Sequence, residues 1–209
     1  GRQVFVGYAA GTATTTGIYN TMVGWRAGYS NTTGGYNTFF GNYAANSNLT
    51  GGQNVAIGNQ AGYGGTKANK YVAVGYDALY YFGATTTHEE SVGIGYLAGK
   101  YATGSYNTFV GGQAGKGGTT SAPYSSGQYN VAMGTEALEG FTTANYNTAI
   151  GYQSGESITT GTGNTFLGFR AGITATTADY SVGIGYGALG DATLTGNYNI
   201  GIGLNAGMD

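Results

Sequence analysis

Cysteine is absent, so neither disulfides nor thiolate metal sites contribute to this chain. Proline occurs once, at Pro123, and a single histidine, His88, cannot by itself supply the converging ligands that a metal centre needs. Charged residues make up only 8% of the 209, against about a quarter in ordinary domains, and the formal net charge is −2. That balance leaves no basic footprint for nucleic acid or for an anionic membrane. No apolar run approaches the ~20 residues of a membrane-spanning helix, so no membrane insertion is expected, and no signal peptide is visible.

Glycine (43) and tyrosine (20) are abundant instead, and they recur at a fixed period. The pattern N-[TV]-x-φ-G-x-x-[AS], with φ apolar, is centred on Gly7, Gly24, Gly41, Gly58, Gly75, Gly95, Gly111, Gly134, Gly151, Gly168, Gly185 and Gly203. Gly24, Gly41, Gly58 and Gly75 stand 17 residues apart, as do Gly134, Gly151, Gly168 and Gly185. A period of this kind predicts stacked coils, here one continuous array over 1–209. Seventeen residues at about 3.3 Å each close a path of roughly 55 Å. That length suits a flattened all-β parallel roll of about twelve ~17-residue coils, with two short strands per coil.

Alternation predicts Val55 and Ile57 pointing inward and Ala56 outward. Met22, Phe39, Phe109 and Phe166, at the position of Ala56, would then form an apolar stripe packed against identical chains. The repeated glycine supplies a backbone angle or close approach that a Cβ forbids. The recurring Asn20, Asn37, Asn54, Asn107, Asn130, Asn147, Asn164 and Asn199 predict an amide ladder along the stack. Tyrosines preceding many of them stack likewise, although aromatic rows also serve carbohydrate contact.

Spacing grows to 20 between Gly75 and Gly95 and to 23 between Gly111 and Gly134. Enlarged coils of a solenoid collect on a binding face. Tyr81, His88 and Glu89 in the first, with Pro123 and Tyr124 in the second, are therefore candidate recognition residues. Asn31 and Asn48 open N-x-T patterns and are candidate glycosylation sites, and the Thr-rich loops are candidates for O-glycans. Glu136 and Glu139 read as surface charges at a coil corner. Gly185 to Gly190 spells G-x-G-x-x-G, but as one register of the repeat it lacks the strand and helix of a dinucleotide site. Calcium-binding repeats need an Asp in every turn, and regular Thr-x-Thr on every coil, as for ice binding, is absent. No catalytic constellation, cofactor site or metal site emerges, and the expectation is a protein that is not an enzyme.

The segments Asn54 to Gly58 and Ser181 to Gly185 resemble the head repeats of YadA-like trimeric autotransporter adhesins. Asn145 to Gly151 and Gly196 to Gly203 look like repeats of phage tail-fibre shafts, and the resemblance covers all twelve copies. It implies a left-handed β-roll, a homotrimer, and a place on a virion or cell surface, outside the cell. The repeats here are longer than the adhesin type, and no coiled-coil stalk or membrane anchor accompanies them. The reading is a non-catalytic structural or adhesive fibre module, with a cell-surface glycan or receptor as partner through the enlarged loops. The alternative is a subunit of a self-assembling, glycosylated filament stacking head to tail, since the chain opens on Gly1 and neither end carries a capping element.

Overall fold

The computed structural model describes residues 2–83, 89–121, 124–190 and 194–208. Twelve three-residue strands run β1 (Val4–Val6), β2 (Thr21–Val23), β3 (Thr38–Phe40), β4 (Val55–Ile57), β5 (Val72–Val74), β6 (Val92–Ile94), β7 (Thr108–Val110), β8 (Val131–Met133), β9 (Thr148–Ile150), β10 (Thr165–Leu167), β11 (Val182–Ile184) and β12 (Ile200–Ile202). All are parallel in chain order, making an all-β solenoid of about eleven turns with no helix among the described residues. The chain forms two compact units, Gly1–Thr103 and Gly104–Asp209, with β1–β6 in the first and β7–β12 in the second. Within each unit, neighbouring strands pair without slip, as in Val55↔Val72 and Thr148↔Thr165.

Each coil contains one strand, not two. After every repeated glycine the backbone enters a succession of turns instead of a second strand. Two residues cause this. The residue two after the glycine is left-handed, as at Arg26 (φ 52) and Gln153 (φ 54), and so is the residue four after it, as at Gly28 (φ 56) and Gly155 (φ 59). Positive φ at the third residue of a four-residue turn is the type II signature. It reverses the chain twice within one short stretch and prevents extension. The turns still bond coil to coil: the Arg26 N–H donates to the Tyr8 carbonyl at 2.8 Å, and the Gly28 N–H to the Ala44 carbonyl at 2.9 Å.

The repeated glycine itself lies at φ 122 to 144 in all twelve copies, a region closed to side chains. A Cβ on Gly151 would run into the Gly168 carbonyl oxygen of the next coil. Coil spacing is thus set by glycine backbone resting on glycine backbone.

The strands face the opposite way from the alternation expected above. Their central residues, Met22, Phe39, Ala56, Phe109, Ala149 and Phe166, are fully buried, while Val6, Phe40, Ile57 and Leu167 are exposed. The buried asparagine decides this. It enters the interior immediately before the strand, so parity sends the next residue outward and the one after it inward. Opposite the strand, the Ala three after the glycine (Ala27, Ala44, Ala61, Ala78) closes the thin core.

Core volume is balanced within single coils. A Cβ on Gly28 would meet the Met22 side chain, and one on Gly115 or Gly172 would enter the Phe109 or Phe166 ring. At three of the small strand centres, Ala73, Ala132 and Gly183, the residue six positions later is Leu79, Leu138 or Leu189, all left-handed. At Ala56 and Ala149 it is Gly62 or Gly155, and Tyr71, or Ile158 with Phe166, closes the space. Large-with-glycine and small-with-leucine are thus two of the solutions to one space.

Two outcomes follow. Gly151→Ala should lower unfolding free energy by more than about 2 kcal/mol, combining forbidden φ with a backbone clash; a denaturant midpoint equal to wild type would refute the glycine-stack account. Ala132→Phe overpacks and Leu138→Gly leaves a cavity, each costing about 1–3 kcal/mol. The double variant should recover at least half of the summed loss in a double-mutant cycle, whereas additive losses would dismiss the compensation.

Candidate functional site

Inside the coils the recurring asparagines align in two runs, Asn20, Asn37 and Asn54 in the first unit and Asn107, Asn130, Asn147 and Asn164 in the second. Each Oδ1 accepts the backbone N–H of its successor: Asn37 N–H to Asn20 at 3.0 Å, Asn147 N–H to Asn130 at 3.0 Å, Asn164 N–H to Asn147 at 2.9 Å. Each Nδ2 donates to a turn carbonyl, 14 residues on from Asn37 to Gly51 (2.9 Å) and from Asn147 to Gly161 (2.8 Å), and 20 residues on from Asn107 to Gly127 (2.9 Å) in the enlarged coil. Both ends of the amide serve buried backbone groups that water cannot reach, so the ladder is structural. Tyr71 interrupts it in the first unit. Its fully buried ring lies edge-on to Phe82 at 5.9 Å, and burial pushes its phenol well above the ordinary range. Asn199 stands half-buried near the last strand, its N–H donating to Ser181 Oγ at 3.1 Å.

Asn31 and Asn48 form a second, shorter amide ladder, with Asn48 Nδ2 donating to Asn31 Oδ1 at 2.8 Å. Both are fully buried. This corrects their reading as glycosylation sites, because a glycan on either nitrogen would have to force the amide out of the coil interior.

Of the candidate recognition residues, His88 and Pro123 lie outside the described residues. Tyr81 and Glu89 belong to the first unit and Tyr124 to the second. Tyr81 sits edge-on to Tyr80 (4.6 Å) and stacks on Tyr101 (5.7 Å). Lys100 reaches over the Tyr80 and Tyr101 rings and pairs with Asp77 at 2.8 Å. Burial, then Tyr63, Tyr81 and Asp77, push the Tyr80 phenol up to about 12, with Lys100 opposing. The cluster is internally packed, with its ring faces and its cation turned on one another.

Four columns point outward across the strand side of each coil. The first and third strand positions make two of them, and none of the twelve copies places a charge in either. The residue after the repeated glycine adds an aromatic row: Tyr8 on Trp25 at 4.3 Å, Tyr152 on Phe169 at 5.4 Å, Phe169 on Tyr186 at 4.7 Å. The residue before the asparagine adds another: Tyr106, Tyr129 and Tyr146 stand 5.0 Å apart at 7° and 3°. Within such runs ring faces cover one another and only edges meet solvent. A sugar therefore cannot stack inside a run, which narrows the carbohydrate reading of the rows.

A cluster that sequence reasoning missed is Glu136, Glu139 and Glu156, whose carboxylates lie within 4.8 Å of one another. Glu139 and Glu156 are 17 residues apart, hence in one column, and that was the available signal. Lys116 pairs with Glu139 at 2.7 Å, and Gln153 donates to Glu136 at 2.9 Å. Burial first, then repulsion from Glu136 and Glu139, raises the Glu156 carboxyl above its ordinary 4.5, with Arg170 pulling the other way. Nothing in this arrangement presents a nucleophile with a base.

Comparison with known protein families, curated proteins and solved structures finds no match. The likeness to adhesin heads and tail-fibre shafts therefore remains a likeness of repeat motifs.

A raised folded-state pKa favours the protonated acid, so Glu156 adds stability below the unfolded value near 4.5 and that contribution is lost as pH rises through its folded value. Glu156→Gln should raise the melting temperature at pH 7 and match wild type below pH ~4. A gain of equal size at both pH values would disprove the repulsion.

Proposed function

We propose that this chain is a non-catalytic structural module of an extracellular fibre, its coils packing side by side against identical chains. The observation that carries this reading is the uncharged outward face of the strands. Val, Ile, Thr, Leu, Phe and Met fill its two columns, and Phe40, Ile57, Met133 and Leu167 are each about half exposed. Contiguous apolar surface of this kind marks an interface.

The occupant favoured is a second copy of the same repeat. A partner with the same coil spacing matches every row, whereas an aperiodic partner falls out of step after one or two coils. Six coils at ~4.8 Å, across about five residues of strand and turn, offer roughly 450 Å² per copy on each unit. A pair of such faces buries roughly 900 Å² in all, the range of weak contacts and short of the ~1,200 Å² of stable ones. Extending contact along further coils strengthens it. The homotrimer implied by the adhesin and tail-fibre likeness is the stoichiometry proposed, with surface recognition on the enlarged coils. A catalytic reading has no residue constellation to support it.

Ile57→Glu and Leu167→Glu together place charges on this face without touching the core. Sedimentation equilibrium should find a homo-oligomer for wild type and a folded monomer for the double variant, with circular dichroism unchanged. A wild-type monomer, or an oligomer indifferent to the two charges, would end the proposal.

A further inference from the structure

Threonines line a corner of the coils in two adjacent columns with different roles. In the first, hydroxyls bond from coil to coil: Thr32 donates to the Leu49 carbonyl at 2.9 Å and Thr66 to the Gly83 carbonyl at 3.2 Å. In the second, Thr16, Thr33 and Thr50 are exposed, and among the described residues nothing takes up their hydroxyls. Beside this column runs a groove of about 510 Å³. Its opposite wall is one column: Tyr36 and Gln53, which precede buried asparagines, and Lys70, which precedes Tyr71. Gly35 and Gly52 leave the floor bare, because a Cβ on either would come within 3.0 Å of a carbonyl of the preceding coil.

The tyrosine row breaks off in this groove. Tyr36 stacks on Tyr19 through one ring face (5.0 Å, 28°), and the next two coils carry Gln53 and Lys70 in place of tyrosine. The other face of Tyr36, which is 59% exposed, is left without a ring to cover it. One uncovered aromatic face, a parallel line of free hydroxyls and an amide, repeating at the coil spacing of ~4.8 Å, match one ligand chemistry. We propose that this groove binds an uncharged, extended, β-linked oligosaccharide. One pyranose stacks on Tyr36, and the following residues hydrogen-bond to Thr33, Thr50 and Gln53. Sugar residues in an extended chain advance by nearly one coil each, so successive units meet equivalent groups. A charged polymer fits less well, since Lys70 is engaged by Glu90 at 3.0 Å.

The inference is separable from side-by-side assembly, because the groove shares only the Tyr36 column with the strand side, and its threonine wall and glycine floor lie off the strands. Isothermal titration of the whole chain with cellotetraose, chitotetraose and maltotetraose tests it. At least one of the two extended β-linked tetrasaccharides should bind, and the coiled maltotetraose should bind more weakly. Tyr36→Ala should weaken binding about tenfold while Tyr36→Phe retains it. Tyr129→Ala, between Tyr106 and Tyr146 in an intact stack, should leave affinity unchanged. Absence of binding by both extended sugars, equal binding of all three, or wild-type affinity in Tyr36→Ala would each overturn the proposal.

Discussion

The column of glycines at φ near 130° is the constraint on which the structure depends. A side chain there would collide with the carbonyl of the next coil, so the column fixes how closely coils approach. That approach brings every other column into register, and equivalent residues stand one strand spacing apart. At that distance, the Asn20 side chain accepts the Asn37 backbone N–H of the next coil, and Tyr129 stacks on Tyr146. The asparagine ladders and tyrosine rows follow from the glycine stack and reinforce it.

The remaining left-handed residues show how so short a coil closes. Gly155 takes that conformation cheaply, whereas Leu138 and Leu189 take it at a cost. Both leucines occur where the strand centre is Ala132 or Gly183, so burial of the isobutyl group offsets the backbone penalty. A few tenths to a few kcal/mol stand on each side of that balance. This is how leucine is tolerated at a position that glycine fills in most coils.

Much of the fold was legible because periodicity survives variation in loop length. Gly75 to Gly95 and Gly111 to Gly134 depart from 17 residues without losing the motif. The inward and outward faces were not legible from the strand alone. Val-Ala-Ile satisfies either orientation, and apolar Val55 and Ile57 argue for the wrong one. The deciding fact lay one residue upstream, in a polar Asn54 that is buried because it bonds to backbone on both sides. Hydrophobicity misplaces such a residue; parity from the asparagine would have placed it correctly. The absence of a second strand was hidden likewise, since Arg26 or Gln153 at positive φ carries no sequence mark comparable to glycine. Asn31 and Asn48 fit a glycosylation pattern that is blind to burial. The groove beside Tyr36 was legible only as a gap in the tyrosine row, at Gln53, Lys70 and Glu90 between Tyr36 and Tyr106.

Scarcity of charge also follows from stacking. A residue type repeated in one column meets its own copy at one strand spacing, and like charges so placed repel along the whole stack. Neutral side chains that bond or stack with their own kind avoid this, and asparagine, threonine and tyrosine do so. Three pairs of opposite charge join neighbouring coils: Lys70 with Glu90, Asp77 with Lys100, Lys116 with Glu139. Glu156 falls beside Glu139 without a cation at bonding distance among the described residues, and burial, then repulsion from Glu136 and Glu139, raises its carboxyl pKa. A surface assembled under this rule is flat, regular and nearly neutral on its strand side. Such a surface offers little electrostatic discrimination between partners. Selectivity would then rest on matching the coil period, the property shared by the two proposed partners, a second copy across the strand face and an extended sugar chain along the threonine groove.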